Sequence, residues 1–401
     1  MFNQATTSVH LALLAAQLIF FISPPFQGRR ILCVTTILGL AITTHVVGPP
    51  SDIPSDAQPF ALIWTIYLGT LDKFLWARDD GPEDSYWRVD RPTREARAMM
   101  PFSFAKIKWA AALMFNTRGI RWNYEITNIQ PKPRMSRQQF LLWQTVDFIK
   151  LVLMSDLLLQ LSERLFWTPV DGIPKHADSK NLTISHPEWY WSFLKVLAFA
   201  CGPYFFVNLQ YVAASIVAVG LNLSKAEDWP PYFGNVSEVT TVRHFWGSFW
   251  HQTLRRTLTK VNGFIVDFLS IHRGTNISSY IQIWLAFTIS GFMHAQSMLL
   301  LPHPSNITFA ERTAGVMAFF LWQAAAITTE DFVQWLWGKL SGDLEVNPWA
   351  RRFIGYTWVI STFWVSLPWA ADVMMRIRLT EESFLGFSIL RSAVQRIPTP
   401  S

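Results

Sequence analysis

Histidines, arginines and four large rings are packed into the stretch Arg243-His244-Phe245-Trp246-Gly247-Ser248-Phe249-Trp250-His251-Gln252-Thr253-Leu254-Arg255-Arg256. Read as one helix, residues three, four and seven apart share a face. His244, Gly247, Ser248, His251 and Arg255 then form a polar stripe, and Phe245, Trp246, Phe249 and Trp250 cover the rest. The small Gly247 and Ser248 leave room beside His251 for a substrate to lie against the helix. Arg255, Arg256 and Lys260 continue toward a charged edge, which suits an anionic ligand. A second element is Ser290-Gly291-Phe292-Met293-His294-Ala295-Gln296, set inside the apolar run Tyr280–Leu301. An ionisable group at that depth is costly in lipid, so His294 should face a cavity or a partner. An imidazole kept uncharged there is the form that accepts a proton. Gly291 lies one turn before it and removes a side chain from the approach path, and Ser290 and Ser297 share its stripe.

Residues of these types need an apolar scaffold, and the composition supplies one. Of 401 residues, 50% are hydrophobic and 15% charged, with 20 tryptophans; an average soluble protein has roughly a quarter charged. That balance excludes disorder, a collagen-like fibre and a disulfide-stapled mini-protein. A membrane span needs about 20 mostly apolar residues. The candidates are Val9–Ile22, Ile31–Val47, Phe60–Leu71, Phe140–Leu159, Trp189–Leu221, Tyr280–Leu301, Thr313–Trp337 and Phe353–Met375. The expected fold is therefore all-α, a polytopic transmembrane bundle of about eight spans, forming a single integral-membrane domain over 1–401. Trp189–Leu221 is too long for one straight span, and Gly202-Pro203 in its middle is the natural place for a kink or a split.

The net charge of +6 could point to nucleic acid, but its distribution argues otherwise. Residues 72–137 hold thirteen Lys/Arg against eight Asp/Glu, the signature of a cytosolic loop beside membrane spans. No nucleic-acid partner is expected. Within this segment, Asp79–Asp84 reads as a solvated loop. Phe102, Phe104, Ile107, Trp109 and Leu113, with Lys106 and Lys108, read as a basic helix lying at the headgroups, with Trp109 and Trp122 as interfacial anchors. Cys33 and Cys201 sit in apolar runs without ligand spacing and read as small buried hydrophobes. His10, His45, His176, His186, His272 and His303 fall in ends or loops. No pair has metal-ligand spacing, so no metal is expected.

The pairing of Phe-Trp-x-x-x-Trp-His at 245–251 with Ser-Gly-x-x-His at 290–294 resembles the membrane-bound O-acyltransferase superfamily. Within it, the chain is similar to the wax-synthase-like branch that fungi use in terpenoid and meroterpenoid pathways. His251 replaces the Asn that ends the related motif of sterol and diacylglycerol acyltransferases. The resemblance covers roughly the C-terminal half and places the functional motifs within 240–301. It implies His294 as catalytic base, with His251 holding the thioester carbonyl or orienting the attack. Trp246 and Trp250 would wall a tunnel, and Arg255 and Arg256 would meet CoA phosphates. Acyl transfer to an alcohol needs a base, an oxyanion donor and exclusion of water. The resemblance also implies acetyl-CoA as co-substrate with no bound cofactor, a lipophilic alcohol as acceptor, and a multi-pass protein of the endoplasmic reticulum.

Plainer readings stand beside these. His294 fits a buried histidine bonded to a neighbouring helix, and His251 fits an interfacial anchor. Trp246 and Trp250 fit belt or packing residues, and Arg255 and Arg256 fit positive-inside determinants. Asp147 and Lys150 suit a mutually neutralising i,i+3 pair. As whole-protein alternatives, a long-chain wax synthase, a proton-coupled transporter and a two-histidine haem protein each fit part of the pattern.

Overall fold

The computed structural model describes residues 3–78, 81–167, 179–341, 347–379 and 388–398; Asp79, Asp80 and His176 lie outside them. The helices are α1 Gln4–Ile22, α2 Arg29–Val47, α3 Pro54–Ala61, α4 Trp64–Leu75, α5 Glu95–Ala98, α6 Phe104–Phe115 and α7 Arg137–Ser162. They continue with α8 Trp189–Gly220, α9 Val242–His244, α10 Arg255–Phe268, α11 Asn276–Met298, α12 Phe309–Leu340, α13 Pro348–Arg376 and α14 Arg391–Val394. Among the described residues, β pairing is limited to an isolated Arg88–Trp122 bridge. The architecture is all-α. Among the described residues, three helices, α1, α2 and α8, are long and apolar enough to cross a membrane. The expected span Phe60–Leu71 does not form. The chain breaks between α3 and α4, and the 12 residues of α4 reach only about 18 Å against a hydrocarbon core of about 30 Å.

The chain folds as two compact units. The first comprises Met1–Thr127, Gln252–Ile289 and Gln296–Pro302. Its core gathers Leu13 and Phe21 of α1, Cys33 and Ile37 of α2, Phe74 of α4, and Trp109 and Leu113 of α6, together with Trp122. His45 in the last turn of α2 bonds Gln296 of α11 through Nε2 at 2.8 Å. Asn262 of α10 donates to the Gln282 carbonyl of α11 at 2.9 Å.

The helix expected to lie at the surface packs one face inward instead. A helix does form over Phe104–Phe115, yet its buried face runs through Lys106, Trp109, Ala110 and Leu113. Helical spacing puts Lys106 on the same stripe as Trp109 and Leu113, and Glu83 makes its burial tolerable. Glu83 accepts from Lys106 Nζ at 3.1 Å and from Arg29 Nη1 at 3.0 Å. The remaining donors are met by carbonyls, Lys106 on Ala96 and Arg29 Nε on Phe20. Trp109 and Trp122 are core residues whose rings lie 6.4 Å apart, not interfacial anchors.

The second unit comprises Asn128–His251, Ser290–Ala295 and His303–Ser401. Here α7 and α8 run antiparallel. Arg137 at the start of α7 donates to Val219 and Gly220 at the end of α8, while Leu151 packs with Leu209 and Val212 in mid-helix. No split occurs at Gly202-Pro203; α8 is one helix of 32 residues with Pro203 inside it. Asp147 and Lys150 pair as expected, at 3.3 Å. Asp156 caps the backbone N–H groups of Ile389 and Leu390.

Helices α12 and α13 form an antiparallel hairpin, with Gln323 bonded to Ser366 and Glu330 to Trp358. They cross so closely at Gly315 that a β-carbon there would run into the Trp369 carbonyl. Two outcomes follow for thermal unfolding of the detergent-solubilised protein. Glu83→Ala leaves two buried cations without their carboxylate and should lower stability by about 3–5 kcal/mol. Gly315→Ala should lower it by about 1–3 kcal/mol, whereas Gly338→Ala, where a β-carbon meets open space, should leave the melting temperature unchanged or raise it.

Candidate functional site

The aromatic stretch is not one helix. After the short α9 the chain widens into a π-helical turn, Phe245–Phe249, closed by the Trp250 N–H on the Phe245 carbonyl at 2.8 Å. Trp250 is already extended, with φ −66° and ψ 149°, and helix resumes only at Arg255. The cause lies upstream. Gly234 donates its N–H to the Phe249 carbonyl at 2.7 Å, using the acceptor that a continuing helix would need. A β-carbon at Gly234 would sit 2.6 Å from the Ser248 carbonyl, so only glycine allows this approach. The expected stripe is therefore divided: Gly247 and Ser248 lie on the π turn, His251 on the extended link, and Arg255 on α10.

This turn is pinned to the α12–α13 hairpin. Glu330 Oε2 accepts from the Val242 N–H at 2.7 Å and from Trp358 Nε1 at 3.0 Å. Arg243 pairs with Asp331, and Thr241 caps the His244 N–H at 2.9 Å. His244 bonds the Glu238 carbonyl through Nδ1, a structural role. Phe245 packs on Phe363 of α13, centroids 4.5 Å apart, and stacks on Trp250 at 5.5 Å. His251 sits among Trp250 at 5.3 Å, Tyr232 at 5.7 Å and Phe233 at 6.0 Å. Tyr232 is itself held by Tyr211 of α8, at 4.5 Å.

His294 is partly buried on α11, with Nδ1 2.7 Å from the Ser290 carbonyl. A carbonyl only accepts, so Nδ1 carries the hydrogen and the lone pair of the neutral ring lies on Nε2. It is thus the backbone of Ser290, not its hydroxyl, that orients the ring in this bond. The imidazole faces Phe320 of α12, centroids 4.6 Å apart. Phe320 in turn lies 6.0 Å from Trp246, and Trp246 6.0 Å from Trp250. His294, Trp246, Trp250 and His251 thereby belong to one continuous aromatic cluster within the second unit.

The two glycines differ. A β-carbon at Gly247 meets nothing within 4 Å, whereas one at Gly291 would lie 3.1 Å from both Met317 Sδ and Phe320 Cβ. Gly291 therefore lets α11 and α12 approach and does not hold open a path to His294.

Arg255 and Arg256 belong to the first unit. Arg255 Nη1 donates to Gln252 at 2.9 Å. Arg256 Nε donates to Asp72 at 2.6 Å and Nη2 to the Tyr86 hydroxyl at 3.0 Å, while the guanidinium lies 4.7 Å from the Tyr124 ring centre. Burial pushes the Tyr86 phenol up to about 12, so it meets Arg256 as a neutral acceptor. Arg256 is thus built into a buried ion pair on one edge. Asp72, Phe320, Gln323 and Glu330 were not singled out by sequence reading. The run Thr313–Trp337 gives little signal for the last three, since it also holds Phe319, Trp322, Asp331 and Gln334.

Residues 229–322, which carry both motifs, match the membrane bound O-acyl transferase family, and residues 136–220 match the C-terminal domain of aspirochlorine biosynthesis protein F. Acetyltransferase ple2 of Rhodocybe pseudopiperita is 32% identical over 348 residues, 86% of this chain and 84% of that protein. Aspirochlorine biosynthesis protein F of Aspergillus oryzae is 43% identical over 219 residues, 54% of this chain and 85% of that protein. Acetyltransferase ataH of Aspergillus terreus is 27% identical over 319 residues, 74% of this chain and 98% of that protein. With its motifs inside the matched region and a relative aligned along most of its length, this chain belongs to the membrane bound O-acyl transferase family and is an integral membrane acyltransferase.

Proposed function

We propose that the protein transfers an acetyl group from acetyl-CoA to a hydroxyl of a lipophilic terpenoid or meroterpenoid intermediate in fungal secondary metabolism. The observation that carries this reading is the Nδ1 bond of His294 to the Ser290 carbonyl, which directs a lone pair at Nε2 in an aromatic-walled setting. His294 Nε2 removes the hydroxyl proton as the acceptor oxygen attacks the thioester carbonyl carbon. The C–S bond then breaks, and the CoA sulfur leaves with the proton returned from His294. The products are the ester and free CoA. Neither cysteine is needed for an acyl-enzyme, since the alcohol attacks directly.

His251, oriented by Trp250 and Tyr232, holds the thioester carbonyl or steers the attack. Trp246 and Trp250 wall the acyl path beside Gly247 and Ser248, and Ser290 and Gly291 fix the base on its helix. Arg255 and Arg256 are assigned to the phosphates of CoA; Arg256 has Nε and Nη2 on Asp72 and Tyr86, which leaves Nη1 for the task. The acetyl donor is supported by the names of relatives such as acetyltransferases ple2 and ataH. We further read the chain as one catalytic domain over 1–401, a polytopic bundle resident in the endoplasmic reticulum. Support for the single domain comes from the ple2 alignment, which runs along most of both chains.

Two measurements test this. In microsomes containing the protein, labelled acetyl-CoA and a terpenoid extract should give products one acetyl group heavier. His294→Ala should lower their rate by about 10²–10⁴-fold, and a variant acylating at the wild-type rate would end the base assignment. Palmitoyl-CoA offered in competition with acetyl-CoA should be the poorer donor. Preference for palmitoyl transfer to a long-chain alcohol would instead make the protein a wax synthase.

A further inference from the structure

A chain of polar groups runs from the partly buried Trp246 of the aromatic motif into the α12–α13 hairpin, where Gln323 and Ser366 are fully buried. Trp246 Nε1 donates to Gln323 Oε1 at 3.2 Å, Gln323 Nε2 donates to Ser366 Oγ at 3.0 Å, and Ser366 Oγ donates to the Thr362 carbonyl at 2.8 Å. Each link has one possible direction. An indole N–H only donates, so the Gln323 oxygen must face Trp246 and its amide nitrogen must face Ser366. The final carbonyl only accepts, so the Ser366 hydrogen is directed there and its oxygen is left to receive Gln323. Gln323 and Ser366 both have no solvent exposure. A reversed amide would set two donors head to head in a dry site, at the full penalty of an unmade bond.

Gln323 lies three residues beyond Phe320 on α12, so the two project from one face of the helix. Phe320 bears on the His294 imidazole at 4.6 Å, and Gln323 grips the Trp246 indole. A single rigid stretch of α12 therefore sets both the ring beside the histidine and the orientation of the motif tryptophan.

We propose that Gln323 is a positioning residue for the acyl transfer: through its oriented amide, fixed by Ser366, it holds Trp246 in register with His294. The idea rests on the roles given to Trp246 and His294 under Proposed function. Gln323→Met keeps the length and removes both hydrogen bonds. It should lower kcat by about tenfold with the KM for acetyl-CoA unchanged, the loss expected from one misplaced buried contact. Trp246→Phe should have a similar effect, and the double variant should be no slower than the slower single one, because Gln323 acts only through the indole. Ser366→Ala, which merely frees the amide, should give a smaller loss in the same direction. Multiplying losses in the double variant would overturn the proposal, as would a rise in KM with kcat untouched.

A second readout does not depend on turnover. With 5-fluorotryptophan placed at position 246 of the full-length chain in detergent, the fluorine resonance should shift in both Gln323→Met and Ser366→Ala. An unchanged resonance in Gln323→Met overturns the proposal. If the unaltered protein acetylated nothing, the reading under Proposed function would fall, while the fluorine signal would still decide whether Gln323 holds the indole.

Discussion

A helix carbonyl has two lone pairs, and at Ser290 one of them sets the orientation of the His294 imidazole. The imidazole of His294 reaches back one turn to that oxygen, a bond available only because the residue lies in a regular helix. The bond fixes which nitrogen bears the hydrogen and removes one of the ring's two rotational options. In an apolar surround this matters more than in water, because a misdirected donor finds no solvent to satisfy it. The nearby elements can then be understood by what they do for that ring. Gly291 brings α11 against α12, Phe320 flanks the imidazole, and Trp246 meets Phe320 from the other motif.

The same hairpin organises the aromatic stretch, which has little helical continuity of its own. Its amide ends are answered by Glu330, and its carbonyl at Phe249 by Gly234. A continuous helix through Thr241–Arg256 would have kept His251 on the stripe of His244 and Ser248. Interrupting it instead sends His251 into a nest of Tyr232, Phe233 and Trp250. The break thus converts a surface stripe into an enclosed ring cluster. The bonds that cause it lie ten or more residues away in sequence.

That separation explains what the sequence made legible. The two motifs and the all-helical class are properties of composition and local spacing, and each could be read directly. The division after Trp250 could not, because helical periodicity persists in the residues whether or not Gly234 takes the Phe249 carbonyl. Lys106 was misread for a related reason. Its charge argues for the surface, but its spacing with Trp109 and Leu113 places it inside, and only Glu83, 23 residues earlier, decides between the two. Gly291 shows the converse problem. Absence of a side chain is the same letter whether it opens a path or admits a neighbouring helix, and Met317 and Phe320 determine which.

The buried cations of the first unit are held differently from the ring cluster around His294. Arg29, Lys106 and Arg256 are each held by a carboxylate, Glu83 for the first two and Asp72 for the last. Removing one partner would leave a full charge in a dry interior, so these pairs fix register between helices and the polar segment 81–127 more than they add net stability. The aromatic cluster around His294 uses neutral groups instead: a carbonyl, a glutamine, a serine and indoles. Neutral hydrogen bonds orient without imposing a strong field of their own. A ring proposed to gain and lose a proton beside an acyl thioester is better served by such neighbours, because a fixed charge at that distance would hold the imidazole in one protonation state.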